Sequence, residues 1–379
     1  MDTKEQIYVD LRQHLDRMPI SYPSTESGVE IRILKHLFTP EEAEIALHLS
    51  MLPEPVQRIH KRVRKSGISI DELRTTLDRM VFKGNIFSTG KGDERQYSNA
   101  PLAVGMYEFQ VDRQTKELAA DWLQYLDEAF AESQFATGIS QLRTIPVEKS
   151  IPLPEKYMVS WYDDMRKLVE NAPGPLAVAN CVCRQTKDLI GDSCKQTDLR
   201  ETCIMLTPEE AEYYHSVGIG RFIDKQEALE ILAKAQADGL VLQPINAQRP
   251  EALCCCCGDC CGIITSLKKF PDPSSYFASN YHSEVDPALC IGCRLCVDRC
   301  RLEAVVMNDG IASINLKRCI GCGNCVAICK SGAAKLVKKE KETLPPKDMT
   351  ALQMKILAKR KGKLNLLKTG IKLMLKQQV

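Results

Sequence analysis

The chain has 379 residues, a net charge of +2, 44% hydrophobic residues and eighteen cysteines. This length accommodates two to four domains. No apolar run reaches the ~18 residues a membrane-spanning helix needs, and the first ten residues lack a basic-then-apolar leader pattern. The expected setting is therefore cytoplasmic, where dense cysteine points to metal rather than disulfides. Charge is uneven: residues 338–379 carry +9, which leaves −7 for the rest.

The expected fold class is α+β, built from several domains. In residues 29–50, "VEIRILKHLF" and "PEEAEIALHLS" read as helices, with Thr39 as N-cap and Pro40 at the first helical position. "PEPVQRIHKRV" reads as a short helix. "SIDELRTTLDRMVFKG" follows with Ile70, Leu73, Leu77, Met80 and Val81 as its apolar stripe. "NIFSTGKGDERQYSNA" reads as strand, turn, strand. Helices followed by a β-wing resemble the winged-helix fold, and the expected domain is 1–111. In DNA-binding members of that fold the last helix enters the major groove. Lys61, Arg62, Arg64 and Lys65 form a basic run, and Arg74, Arg79 and Lys83 lie on or after the candidate helix. Asp71, Glu72 and Asp78 share that helix, so docking to another protein stands as the alternative to DNA.

Residues 112–172 read as a helical linker region. It holds a long amphipathic helix at 115–133, a proline-punctuated linker at 143–157, and a helix at 160–170 whose Trp161 is expected in the core.

Residues 173–280 read as a small cysteine-rich α/β domain. "GPLAVAN" is a strand that ends at Cys181. Thr207, Pro208 and Gly218 frame one helix. Asp224 and Glu227 form a capping-box arrangement for the next, with Leu229, Leu232 and Ala233 as its buried stripe. "LVLQPIN" is a strand, and the cysteines are expected at strand ends and in loops. Cys181, Cys183, Cys194 and Cys203 supply enough thiolates for one 4Fe-4S cluster, or equally for a structural zinc ion. "CCCCGDCCG" at 254–262 holds six more. Cys254, Cys256, Cys257, Cys260 and Cys261 are its candidate ligands, because neighbouring cysteines on an extended chain point to opposite sides. Thiol chemistry or cluster-based catalysis at 254–261 is a further reading.

Residues 281–340 contain an internal repeat. "LCIGCRLCVDRC" (289–300) recurs as "RCIGCGNCVAIC" (318–329), each with the spacing C-x2-C-x2-C-x3-C. "VVMNDGIASI" between them reads as a hairpin turning at Asp-Gly. The repeat resembles the bacterial two-cluster ferredoxins. That resemblance implies one 4Fe-4S cluster on Cys290, Cys293, Cys296 and Cys329, and a second on Cys319, Cys322, Cys325 and Cys300. It also places the fourth cysteine at the start of a helix. The chain departs from the ferredoxin pattern after the fourth cysteine, where Arg301 and Lys330 replace proline. A cation beside a cluster raises its potential. Together with "TPEEAEIALHLS" (39–50), "YEFQ" (107–110), "CVCR" (181–184) and "CCGDCCG" (256–262), the module resembles anaerobe proteins described as the 4Fe-4S ferredoxin family. That resemblance implies cluster binding and electron transfer without a defined reaction.

Residues 341–379 alternate Leu, Ile and Met with Lys. They read as basic amphipathic helices broken near Gly362 and Gly370, suited to an anionic membrane surface or an acidic partner. No G-x-G-x-x-G, no phosphate-binding G-x-x-x-x-G-K-S/T and no H-E-x-x-H is present, so no nucleotide or flavin site is indicated. The expected function is electron transfer through several 4Fe-4S clusters between redox partner proteins. A redox-sensing winged-helix transcription regulator is the alternative.

Overall fold

The computed structural model describes residues 3–151, 159–374 and 378. The last part of the expected linker, 152–157, lies outside them. The chain forms two compact units.

One unit comprises 1–137, 213–219 and 353–379. Helices Thr3–Leu15, Val29–Leu37, Pro40–Ala46, Val56–Val63 and Ile70–Phe82 carry most of it. Thr39 and Ser69 open two of these with reciprocal capping boxes through Glu42 and Glu72, each satisfying two N–H groups that the helix itself leaves unpaired. Leu73, Leu77, Met80 and Val81 face the core, whereas Ile70 is only partly buried. Strands β1 (Glu54–Pro55), β2 (Ile86–Thr89) and β3 (Gln96–Asn99) form a small antiparallel sheet in the order β1-β3-β2. The helix Lys116–Tyr125 buries Trp122 against Tyr107, with ring centroids 5.1 Å apart.

The tail is one helix, Met349–Met374, kinked at Gly362 (φ 76°, ψ 161°). The backbone stays helical through Gly370, so the second expected break is absent. The Arg360 guanidinium donates to the carbonyls of Asp16 (3.1 Å) and Met18. Side chains 363–374 lie outside the described set, and with them most of the expected basic face. No helix among the described residues is long and apolar enough to cross a membrane.

The other unit comprises 138–212 and 220–352. Its larger sheet has five antiparallel strands: β4 (Leu176–Asn180), β5 (Glu201–Met205), β6 (Arg221–Ile223), β7 (Val241–Pro244) and β8 (Ala252–Cys256). They run in the order β6-β4-β5-β8-β7. The helix Lys225–Ala237, capped by Asp224, covers the sheet with Ala228, Leu232 and Ala235. Of the expected stripe, Leu232 is buried, but Leu229 is only partly buried and Ala233 is exposed. Positions 228, 232 and 235 are spaced i, i+4, i+7, and that period sets the buried face. Trp161 is 38% exposed, contrary to expectation. It precedes the helix Met165–Glu170, whose Met165, Leu168 and Val169 fill the core.

The cysteines of this sheet also differ from expectation. Cys203 lies within β5 and Cys254 to Cys256 within β8, while Cys183 belongs to the helix Val182–Leu189. Cys181 is that helix's N-cap.

The rest of the unit is a small repeat. Strands β9 (Tyr281–Val285) and β12 (Ala334–Lys338) pair antiparallel. Strands β10 (Val305–Asn308) and β11 (Ile311–Ile314) form the expected hairpin, and Asp309 and Gly310 both adopt positive φ at its turn. Two five-residue helices, Leu295–Arg299 and Asn324–Ile328, sit in equivalent places.

Candidate metal centres

The two cysteine repeats surround two separate cavities. Cys290, Cys293, Cys296 and Cys329 line one, with about 310 Å³ of atom-free space. Cys300, Cys319, Cys322 and Cys325 line the other, with about 360 Å³. In each set three cysteines come from one repeat and the fourth from the other. Cys300 and Cys329 are the C-caps of the two short helices, not their first residues. Their extended backbone (ψ 108° and 103°) swings each thiol away from its own loop.

Backbone N–H groups point at these sulfurs. Ala312 donates to Cys290 Sγ at 3.4 Å, Ala334 to Cys329 at 3.4 Å, Ala304 to Cys300 at 3.1 Å and Ser283 to Cys319 at 3.4 Å. Such bonds favour thiolates and tune cluster potential. Burial pushes the Cys325 thiol up to about 12 and raises Cys319 as well. Those two buried thiols ionise when a metal supplies the compensating charge. The Gly321 loop passes so close to β9 that a Cβ would stand 2.1 Å from the Tyr281 carbonyl oxygen, at φ +69°. Only glycine fits there. The inner set is more enclosed: Cys319 and Cys325 are buried, while Cys293 of the outer set is exposed.

The departures from the ferredoxin pattern have a structural use. Arg301 donates to the carbonyls of Gly239 (2.9 Å) and Asp238 (2.7 Å), and Arg299 to Gln236 (2.9 Å) and Ala237. These are the last carbonyls of the helix Lys225–Ala237, where a cation is favoured by both the unpaired oxygens and the helix dipole. From the second repeat, the Asn324 amide donates to Gly239 and Leu240 at 3.0 and 3.2 Å. Both repeats thus dock on one helix C-terminus. Lys330 remains exposed.

The ten remaining cysteines sort by strand geometry. In β8 the side chains alternate. Cys254 and Cys256 share one face, and Cys203 of β5 is the register partner of Cys254. Cys255 points the other way into the apolar core, where burial raises its thiol. A chain of thiols within hydrogen-bonding reach runs from Cys181 to Cys183, Cys261, Cys256, Cys254 and Cys203. Within it, contacts from Cys183 and Cys256 hold Cys261 down at about 5, and contacts from Cys203 and Cys256 lower Cys254. Cys181 and Cys256 are raised. Thiols that share protons in this way release them when a metal binds.

Cys194, Cys257 and Cys260 form a separate group with Asp259. The four cysteines of the 181–203 stretch are therefore not one set, since Cys194 leaves the other three. Between the two groups lies Arg184, fully buried. It donates to Thr202 Oγ1 at 2.6 Å and to the Cys255 carbonyl at 2.7 Å. Burial disfavours its charge, but the surrounding Cys181, Cys257, Cys256 and Cys194 outweigh that and hold it protonated. Asp259 and Arg184 were not among the expected site residues. The available signals were an acid inside C-x2-C and a cation next to Cys183. Among the described residues no cysteine is in a disulfide.

In the first unit, the basic residues on the helix Ile70–Phe82 are paired. Arg74 meets Asp93 at 3.4 Å, and Arg79 and Lys83 reach the buried Glu42 at 3.1 and 2.6 Å.

Comparison with known families gives one match. Residues 282–330 fit the model of the 4Fe-4S dicluster domain. No curated protein and no solved structure matches the chain.

Proposed function

Residues 282–330 being a 4Fe-4S dicluster domain, we infer that the chain relays electrons through that domain to a further iron–sulfur centre in the same unit. The observation that carries this reading is the docking of both repeats on the carbonyls that end the helix Lys225–Ala237. That helix covers the sheet whose strands β5 and β8 carry Cys203, Cys254 and Cys256. Cys290, Cys293, Cys296 and Cys329 hold the outer cluster, and Cys300, Cys319, Cys322 and Cys325 the inner one. Four of Cys181, Cys183, Cys203, Cys254, Cys256 and Cys261 supply the third, moving apart around it as it is inserted, and the other two stay thiols. When bound, the clusters supply one-electron redox chemistry. The protein fixes the thiols, directs N–H groups at them and keeps water from the inner set.

The redox partner meets the outer cluster. Ile291 (71% exposed), Leu289 and Leu295 surround the exposed Cys293. An apolar patch of this kind suits transient docking by another protein. The tail remains a candidate for an anionic surface or an acidic partner, and a cytoplasmic setting follows from the cysteine chemistry.

Iron and sulfide quantitation on anaerobically purified protein, with EPR, tests the reading. Two clusters hold about eight irons and three about twelve, at four per cubane. A count of eight that does not change in Cys256→Ser refutes the third cluster.

The helices and β2–β3 hairpin of residues 29–99 support a winged-helix reading of the first unit. The pairing of Arg74, Arg79 and Lys83 with acids favours protein docking over DNA. A gel shift with the encoding organism's upstream DNA, reduced against oxidised, separates the two. Specific, redox-dependent retardation would establish the regulator instead.

A further inference from the structure

The group Cys194, Cys257, Cys260 and Asp259 differs in kind from the other cysteine sets. One ligand atom from each lies within 4.8 Å of all the others. Among the described residues no other set of three or more potential ligands is this tight. The thiols of a cubane bind four separate irons and must stand around a cluster-sized space, as both repeat sets do. Ligands of a single tetrahedral ion, with bonds of about 2.3 Å to sulfur and 2.0–2.2 Å to oxygen, stand about 3.5 Å apart. The tight group has the second geometry.

Its scaffold is preorganised. "CGDC" supplies three of the four groups from one turn, with the C-x2-C spacing of structural metal knuckles. The loop at 194–196 supplies the fourth and is tied to that turn twice. Lys195 N–H donates to Asp259 Oδ2 at 2.7 Å, and Gly258 N–H donates to Gln196 Oε1 at 2.7 Å. The first bond occupies Oδ2 and leaves Oδ1 facing Cys194 Sγ at 3.4 Å. Asp259 is thus oriented as a one-oxygen ligand by its own hydrogen bond, the arrangement that outer partners impose on metal-binding carboxylates. Cys257 and Cys260 are buried and pack with the sheet core, and Cys194 packs against them.

We propose that Cys194, Cys257, Cys260 and Asp259 bind one zinc ion. Three thiolates and a carboxylate, four-coordinate and with no open position, make a structural zinc site. The ion clips the 194–196 loop to the "CGDC" turn across 63 residues of sequence. Cys256 and Cys261 of the neighbouring six-thiol chain directly adjoin these ligands in sequence. This proposal does not depend on the electron-relay reading, since a zinc ion carries no electrons.

The test is metal quantitation on the full-length protein, grown with both iron and zinc and purified anaerobically. The expected result is one zinc per chain, lost in Cys194→Ser and in Cys257→Ser, with the ferredoxin-module EPR signals unchanged as the control for folding. Asp259→Asn is expected to keep the fold and to surrender zinc to a chelator at least tenfold faster. Cys255→Ser, whose thiol faces the core, is expected to retain it. Wild-type protein without zinc, or a loss of about four irons on Cys194→Ser, overturns the proposal. Asp259→Asn that holds zinc as tightly as wild type removes Asp259 from the ligand set. Failure to find a third iron–sulfur cluster would sink the relay reading and leave the zinc result standing.

Discussion

The Arg184 guanidinium donates to the Cys255 carbonyl at 2.7 Å while no part of its side chain meets solvent. A second arm of the same group holds Thr202 Oγ1. One cation thus joins the helix that follows Cys181 to strands β5 and β8. Replacing it by methionine leaves two buried acceptors without a donor, and each costs ~1–3 kcal/mol. Arg184→Met is expected to destabilise this unit by about 3 kcal/mol in urea unfolding. Arg184→Lys is expected to recover little, because a point charge cannot serve two acceptors in the guanidinium plane.

Arg301 stands where ferredoxins carry proline, and with Arg299 it holds the last carbonyls of the helix Lys225–Ala237. Hydrogen bonds to charged groups contribute ~1.5–3 kcal/mol each. The double variant Arg299→Ala/Arg301→Ala is expected to keep both module clusters and to lose amide-exchange protection at 236–240. Unchanged protection there would show that the docking rests on Asn324 alone.

Gly321→Ala pushes a Cβ to 2.1 Å from the Tyr281 carbonyl oxygen, a contact that only backbone movement relieves. The expected outcome is loss of the inner cluster, about four irons per chain. Gly332→Ala, at φ +71° with open space around it, is expected to retain full iron and lose only modest stability.

Arg143 and Asp163 form an ion pair in which both side chains are 1% exposed, and Asn280 donates to Asp163 at 2.9 Å. Removing one partner of a buried pair costs about 3–5 kcal/mol. Asp163→Leu is expected to fall in that range by thermal unfolding. The double variant Arg143→Met/Asp163→Leu is expected to restore most of the loss. If it remains as unstable as the single variant, the pair's geometry carries specificity beyond charge balance.

Burial, Asp348 and Glu209 push the Glu251 carboxyl up to about 7, and burial, Glu251 and Glu209 push Glu210 up to about 8. Their neutral forms are the folded forms. Their contribution is therefore complete below the unfolded carboxyl range near 4.3 and declines as pH rises through 7 and 8. Melting temperature, compared between pH 5.5 and 8.5, should fall less in Glu251→Gln and Glu210→Gln than in the parent. Equal slopes would place both carboxylates in contact with water.

How much was legible depended on whether spacing or pairing carried the information. The repeat at 289–329 was readable because its cysteine spacing recurs within each copy, and the Asp-Gly turn announced the hairpin; the exchange of Cys300 and Cys329 between copies came only from the resemblance. The capping residues Thr39 and Asp224 act within four residues and were equally visible. The middle domain resisted because its ligand sets are fixed by strand register. Nothing in the spacing of Cys203 and Cys254 reveals that β5 and β8 are neighbours, or that Cys194 leaves Cys181 and Cys183 to join the "CGDC" turn. Alternation did single out Cys255, whose side is decided within β8 itself. On the helix Lys225–Ala237 only Leu232 of the expected stripe is buried, because two overlapping periods fit its alanines and leucines. Only the sheet beneath chooses between them.

The contrast between the exposed Cys293 and the buried Cys319 and Cys325 sets an order of damage. Oxygen and peroxide reach the outer cluster first, and exposed thiolate sites oxidise ahead of enclosed ones. On the proposed relay, such injury removes the partner-facing cluster before the inner one. Repair then requires rebuilding a single solvent-facing cube on a scaffold that is already folded.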